Sequence, residues 1–275
     1  PGVAAVVGPE LVGPDTWRID ALPSGAPLDD ETKDIVVAIR DIDGPDALVA
    51  GVSAAFVDQQ ESLADRLPWA IAIVAAVTIV ALFLMTGSVL LPLKAVLMNL
   101  LTLGATLGLM VLIFQDGRLT GPLNYDPNGA LDLTQPILLG ALAFGLSTDY
   151  AVFLLSRIKE ARDSGLSNDE AVAVGLQRTG RIVTAAALLF AVAIGAFAIS
   201  DIKLIKELGV GTAIAVLIDA TIIRAFLVPS LMKLLGDWNW WAPGPLRRFH
   251  DRFGWKEGEP PEPQDEPRTP VDVPA

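Results

Sequence analysis

The feature that most limits what this chain can become is a pair of uncharged apolar runs. No charged side chain occurs from Leu67 to Leu93, and after Lys94 none occurs from Ala95 to Gln115. A buried globular helix needs nothing so long, whereas about 20 apolar residues rising 1.5 Å each cross the hydrocarbon of a bilayer. Backbone polar groups find no water there, so each run is expected as a helix that bonds its own backbone. Of the 275 residues, 52% are hydrophobic and 19% charged, more apolar than is usual for soluble domains of this size. A net charge of −12 would argue against a membrane if it were evenly spread. The acid is instead concentrated in residues 1–65 and in the last stretch from Glu257, outside the apolar blocks.

Continued along the chain, the pattern predicts five spans, at about 68–86, 92–114, 135–157, 181–200 and 207–235. Pro68 and Pro136 suit helix starts, where a missing N–H costs nothing. The fourth span is rich in small residues, among them Ala185, Ala186, Ala191, Gly195 and Ala196, as closely packed membrane helices are. Pro229 is expected to kink the end of the fifth. Residues 1–66 read as part of a soluble α+β unit. Trp17, Ile19 and Ala21 alternate with Arg18 and Asp20 as in a strand, and Pro23-Ser24-Gly25 breaks it. Asp29 or Asp30 can cap a helix with Ile35, Val36 and Ile39 on one face, ended by Gly44-Pro45. These elements are too few to bury a sizeable core alone. The expected fold is therefore an all-α polytopic membrane protein, with its transmembrane domain in 67–236 and a partial α+β extracytoplasmic subdomain in 1–66. The remaining tail, 237–275, is expected to be largely disordered, most clearly from Glu257 to Ala275.

Orientation follows from the basic residues. Arg157, Lys159, Arg162, Arg178 and Arg181 lie between the third and fourth spans, and Lys233, Arg247, Arg248 and Arg252 follow on the same side. The opposite short loops hold Arg118, Lys203 and Lys206. This places the tail in the cytoplasm and residues 1–65 outside. Trp238, Trp240 and Trp241 fit an interfacial aromatic belt in contact with membrane lipids.

Most chemistry is excluded by what the sequence lacks. Without cysteine there is neither a disulfide frame nor a thiolate metal site, and a single histidine, His250, leaves no zinc or triad set. No cofactor and no enzyme activity are expected. No dense basic patch offers a footprint to nucleic acid. The Gly209-Val210-Gly211 stretch opens an apolar helix with no strand before it and carries no nucleotide reading. What remains is ionisable groups at bilayer depth, which are costly and rarely present without a use. Asp149 sits roughly 20 Å into the third span, beside Gly145, Ser147 and Tyr150, where it could take a proton from one side and release it to the other. Asp219 and Arg224 are five residues apart in the fifth span. On an α-helix that separates them by about 140°, so each is expected to face another helix. Asn99, Thr102 and Thr106 with Gly104 and Gly108 make a mildly polar stripe in the second span, read as helix packing.

Three stretches carry a family resemblance. Gly145-Leu146-Ser147-Thr148-Asp149-Tyr150, continuing to Arg157, resembles a signature helix of the MMPL branch of the resistance-nodulation-division (RND) exporters. Thr179-Gly180-Arg181-Ile182-Val183-Thr184 resembles the start of that family's next helix. Gly209-Val210-Gly211, Asp219-Ala220-Thr221, Arg224 and Val228-Pro229-Ser230-Leu231-Met232 resemble its final helix. The resemblance implies a proton-driven exporter of two similar halves, with hydrophobic or amphipathic cargo such as lipids and the proton as coupling ion. By this match the chain is the end of the second half, and Asp149 and Tyr150 are its Asp-Tyr pair, with Asp219 and Arg224 as relay neighbours. The complementary pair belongs to a first half that this polypeptide does not contain, and the start at Pro1-Gly2 without Met fits a fragment. A SecD/SecF-like translocation motor and a sterol-sensing-like membrane sensor are the rival readings of the same helical arrangement.

Overall fold

The computed structural model describes residues 2–42, 47–126, 131 and 134–254. The chain opens on an antiparallel hairpin of β1 (Val3–Gly13) and β2 (Thr16–Pro23), the second strand being the alternating segment around Trp17 and Ile19. Helix α1 (Asp30–Arg40) follows, with Asp29 at its N-cap and Val36 buried. The strands are almost wholly exposed, as a two-stranded ribbon without a covering layer must be. The expected turn at Gly44-Pro45 lies outside the described residues.

Helix α2 (Val52–Thr86) departs from the expected start at Pro68: it is one continuous helix with that proline inside it. The charged stretch Asp58–Arg66 and the apolar run that follows share a single helical path. Pro68 forgoes only the hydrogen bond that residue 68 would donate to Ala64. Then come α3 (Leu90–Met110), ending in a π-helical turn Val111–Gln115, and the single turn α4 (Thr120–Leu123). Helices α5 (Thr134–Asp163) and α6 (Asn168–Gly195) both run beyond the expected span ends, so the basic residues between them ride on a helical hairpin with its turn at 164–167. The signal for this lies in Ser167-Asn168-Asp169-Glu170, a capping box in which Ser167 and Glu170 satisfy each other's backbone N–H groups. After a 3₁₀ turn, Ala196–Ile199, the last span is composite: α7 (Lys203–Ile218), a π-helix Asp219–Leu227, α8 (Val228–Leu235) and a 3₁₀ turn Gly236–Trp240. Pro229, which has no N–H to place, sits where the hydrogen bonding returns from i→i+5 to i→i+4. Part of the tail expected to be disordered is ordered: α9 spans Gly244–Phe253, with Leu246, Phe249 and Phe253 at helical spacing, while 255–275 lie outside the described residues.

Five helical stretches are long and apolar enough to cross a membrane: Val52–Thr86, Leu90–Gln115, Thr134–Asp163, Asn168–Ile199 and Lys203–Trp240. The chain is thus a multi-pass helical membrane protein with a partial α+β region at its N-terminus. Helix α5 is central and touches α2, α3, α6 and α7. Towards the tail side the core is Leu82, Leu91, Leu154, Leu155, Ile158 and Met232. At the opposite end it is Met110, Phe114 and Leu139. Between these two apolar layers lies a polar one.

Glycines set how closely the helices approach. A Cβ at Gly211 would lie 2.7 Å from Leu139 of α5, and one at Gly209 would lie 2.6 Å from the Phe197 Cβ and 2.8 Å from the Ile194 carbonyl oxygen. The Gly209-Val210-Gly211 stretch therefore serves close packing of α7 against α5 and the end of α6. Gly209→Ala should lower stability by about 1–3 kcal/mol, because backbone must move to admit the methyl group. Gly104→Ala, facing open space, should change it little. Thermal unfolding of both variants in detergent micelles checks the contrast.

Candidate functional site

The polar layer is assembled from the middles of three spans. Helix α3 supplies Asn99, α5 supplies Ser147 and Tyr150, and the π-helix supplies Asp219 and Arg224. Contrary to the expectation from α-helical spacing, Asp219 and Arg224 pair directly: Arg224 Nε donates to Asp219 Oδ2 at 2.6 Å, and the two side chains are only 7% and 8% exposed. The physical reason is the local helix type. In a π-helix the backbone bond runs i→i+5, so residues five apart come round to the same face instead of standing about 140° apart. Arg224 also reaches across to α5, where Nη2 donates to the Ser147 carbonyl oxygen and approaches Ser147 Oγ at 3.3 Å. Its guanidinium lies over the Tyr150 ring, 5.2 Å from the centroid.

Ser147 joins the pair to α3. Its Oγ lies 2.6 Å from Asn99 Oδ1 and 2.8 Å from Asp219 Oδ1. Thr148 Oγ1 donates to the Phe144 carbonyl at 2.8 Å and accepts from Asn99 Nδ2 at 3.2 Å, which assigns the Asn99 amide orientation. Two acceptors thus compete for the one hydroxyl hydrogen of Ser147.

Asp149 stands apart from this cluster. It lies two residues beyond Ser147, about 200° further round the helix, and is exposed on the outer face of α5. Among the described residues it makes no hydrogen bond or ion pair. Of the four residues expected to form a relay, Tyr150, Asp219 and Arg224 are brought together and Asp149 is not. Asn99 and Ser147 belong to the cluster, although Asn99 was expected only to pack and Ser147 only to flank Asp149. The other stripe residues do behave as packing groups: Thr102 and Thr106 donate to the Met98 and Thr102 carbonyls of their own helix.

A cavity of about 50 Å³ adjoins the ion pair, lined by Asn99, Ser147, Asp219 and Arg224 and, further along, by Lys94. That volume has room for about three to five water molecules. Arg224 Nη1 is buried without a partner, a group that demands hydration. On the tail side Lys94 Nζ donates to Asn239 Oδ1. Asn239 is fully buried, with its amide donating at 2.6 Å to both the Met232 and Gly236 carbonyls. At the opposite end Lys206, expected in a loop, is 3% exposed and donates to the Leu123 and Asn124 carbonyls, which clips the segment after α4 onto the bundle.

These features define a class: a polytopic membrane protein with an ion pair buried within its spans and, on the outer face of the adjoining helix, an exposed carboxylate. The particular family follows from comparison. Residues 23–263 match the MMPL family, and the chain belongs to it. It is 50% identical over 228 residues, 82% of its length, to a membrane protein of Streptomyces coelicolor. It is 48% identical over 236 residues, 85% of its length, to the trehalose monomycolate exporter MmpL3 of Mycobacterium tuberculosis. With the mycolic acid-containing lipids exporter MmpL11 of Mycolicibacterium smegmatis it shares 38% identity over 206 residues, 75% of its length. The aligned regions make up 32%, 24% and 21% of those relatives, so the chain spans a third of their length or less. These relatives carry the names of exporters or of a membrane protein, and none the name of an enzyme.

Removing one member of a buried pair strands the other's charge. Arg224→Met should therefore lower stability by about 3–5 kcal/mol, whereas adding Asp219→Leu to it should recover most of the loss. Denaturant unfolding in mixed micelles, followed by tryptophan fluorescence, checks both variants.

Proposed function

We propose that this chain is the C-terminal portion of an RND-type secondary exporter, driven by proton movement and carrying hydrophobic or amphipathic molecules such as lipids. The observation that carries this reading is Asp149: a carboxylate on an outward helix face within a membrane-spanning segment, one residue from a tyrosine that touches a buried ion pair. A carboxylate facing hydrocarbon is untenable, so in the working protein another helix covers it. Family likeness supplies that helix from the transporter's other half, with its own Asp-Tyr pair. Membership of a family with named lipid exporters supports the cargo class. The tail lies in the cytoplasm and residues 1–65 outside, as the Lys and Arg distribution favours.

The chemistry is one proton moved at a time, with no cofactor. The Asp149 carboxylate takes up a proton from the outer side, loses its charge and relaxes its hold on the opposing helix. Arg224 grips the carbonyl of Ser147, on the same helical turn as Asp149, so a shift of that turn is felt at the Asp219–Arg224 pair. Release towards the cytoplasm runs past the cavity between Arg224 and Lys94. Each inward proton supplies about 2.3 kcal/mol per 100 mV of membrane potential and about 1.4 kcal/mol per unit of pH difference. The electrical part alone biases a two-state equilibrium about fiftyfold.

In the full-length transporter, Asp149→Asn should abolish export while leaving membrane expression intact; undiminished export would overturn the proposal. The hydrated cavity has its own check, because the chain contains no cysteine. A single Met98→Cys should react with a hydrophilic maleimide supplied from the tail side, and faster when Asn239→Ala opens the closure at Lys94. No labelling from that side would remove the cavity from the proton path.

A further inference from the structure

Helix α9 is built as a surface anchor, and this follows whatever the chain transports. Its residues divide cleanly around the helix. Leu246, Phe249 and Phe253 lie on one side, 41%, 48% and 57% exposed, and Arg247, Arg248 and Arg252 lie on the other with Asp251 among them, all exposed. Among the described residues the three arginines have no carboxylate partner, and Arg252 only stacks over the Phe253 ring. The helix is not loose. His250, between the two faces, packs edge-on against Phe83 of α2 with ring centroids 5.9 Å apart, and it lies against Gly87 where α2 ends. The segment leading to α9 is tied down as well: Val89 N donates to the Trp241 carbonyl at 3.2 Å, and Ser88 Oγ donates to the Asn239 carbonyl at 2.5 Å. These contacts hold α9 level with the turn between the first and second spans, where the hydrocarbon of the bilayer gives way to headgroups. Trp238 and Trp241, 69% and 48% exposed, lie beside it.

We propose that α9 lies in the membrane interface and binds anionic phospholipid, its Leu246, Phe249 and Phe253 face among the acyl chains and its three arginines on headgroup phosphates. The apolar row needs a non-aqueous cover, and the contacts to Phe83, Gly87 and Val89 set it beside the ends of the two spans that cross the bilayer. The arginines choose among lipids, because guanidinium forms paired, charge-assisted bonds with phosphate. Each cation near an anionic surface contributes about a fivefold preference at low ionic strength. The rival occupant of the basic side is the acidic segment that follows it in sequence, with Glu257, Glu259, Glu262, Asp265 and Glu266.

The test uses the whole chain reconstituted in vesicles, with a single Leu246→Cys carrying an environment-sensitive dye. In vesicles containing phosphatidylglycerol the dye should be blue-shifted and shielded from iodide. In pure phosphatidylcholine it should be several-fold more accessible, and added salt should erase the difference. Arg247→Gln, Arg248→Gln and Arg252→Gln together should remove the lipid dependence. The three corresponding Lys substitutions should keep it, which separates charge from helix folding. Equal shielding in both lipids would overturn the proposal in favour of a purely apolar anchor. Lipid dependence that appears only after deletion of 257–275 would overturn it in favour of the acidic segment as the resident partner.

Discussion

The buried contact between Arg224 and Asp219 sets the terms for the middle of this molecule. Two ions taken from water into a protein interior lose several kcal/mol of solvation each, and their attraction offsets this only when the geometry is good and the remaining hydrogen-bonding capacity is used. Here the π-helix supplies the geometry and α5 supplies the partners, through the Ser147 carbonyl, the Ser147 hydroxyl and the Tyr150 ring. The last span and α5 are thereby locked in register at one height, with Asn99 of α3 joined through the same hydroxyl. The glycine contacts of α7 and the apolar layers above and below complete a frame whose polar centre has few ways to rearrange. Those few ways are where function can reside.

Asp149 is constrained differently. The same turn of α5 presents Ser147 inward and Asp149 outward, because residues two apart on an α-helix cannot share a face. Among the described residues the inward group has partners on two other helices and the outward one has none. A membrane protein tolerates an unpartnered carboxylate only where protein or water meets it, and the proposed reading puts further protein against this face of α5. The proposed division of labour follows: an inner pair that keeps α5 and the last span together, and an outer carboxylate that responds to what lies opposite.

The spans were legible because hydrocarbon thickness imposes a length that composition alone reveals. The strand at Trp17 to Ala21 was legible from alternation and the helix after Asp29 from its apolar face, although the Asp29 carboxylate accepts from Ala26 N rather than capping a helix N–H. Ends were less so. Pro68 looked like a start and lies inside a helix, since nothing else in its neighbourhood breaks the chain. The α5–α6 hairpin was hidden behind its basic residues, although its capping box was in plain sequence. The pairing of Asp219 with Arg224 was misread because periodicity assumes one helix type, and a π-helix has no strong sequence mark beyond a proline just after it. Ser147 and Asn99 were visible as polar residues at depth, but only three-dimensional packing brings them to the same carboxylate.

That last convergence bears on how a proton could be handled here. The Ser147 hydroxyl stands between Asn99 of α3 and Asp219 of the last span. The carbonyl of the same serine is held by Arg224, which in turn binds Asp219. A movement of the ion pair therefore acts on α5 at two atoms of one residue, on the turn that presents Asp149 to the opposite side. On the proposed reading the two carboxylates are coupled without touching: one reports through the backbone of α5, the other through the charge it shows to a neighbouring helix. An ion pair tied to α5 at two atoms, a cavity with room for water beside it and a cation closing the far end is the arrangement such coupling requires.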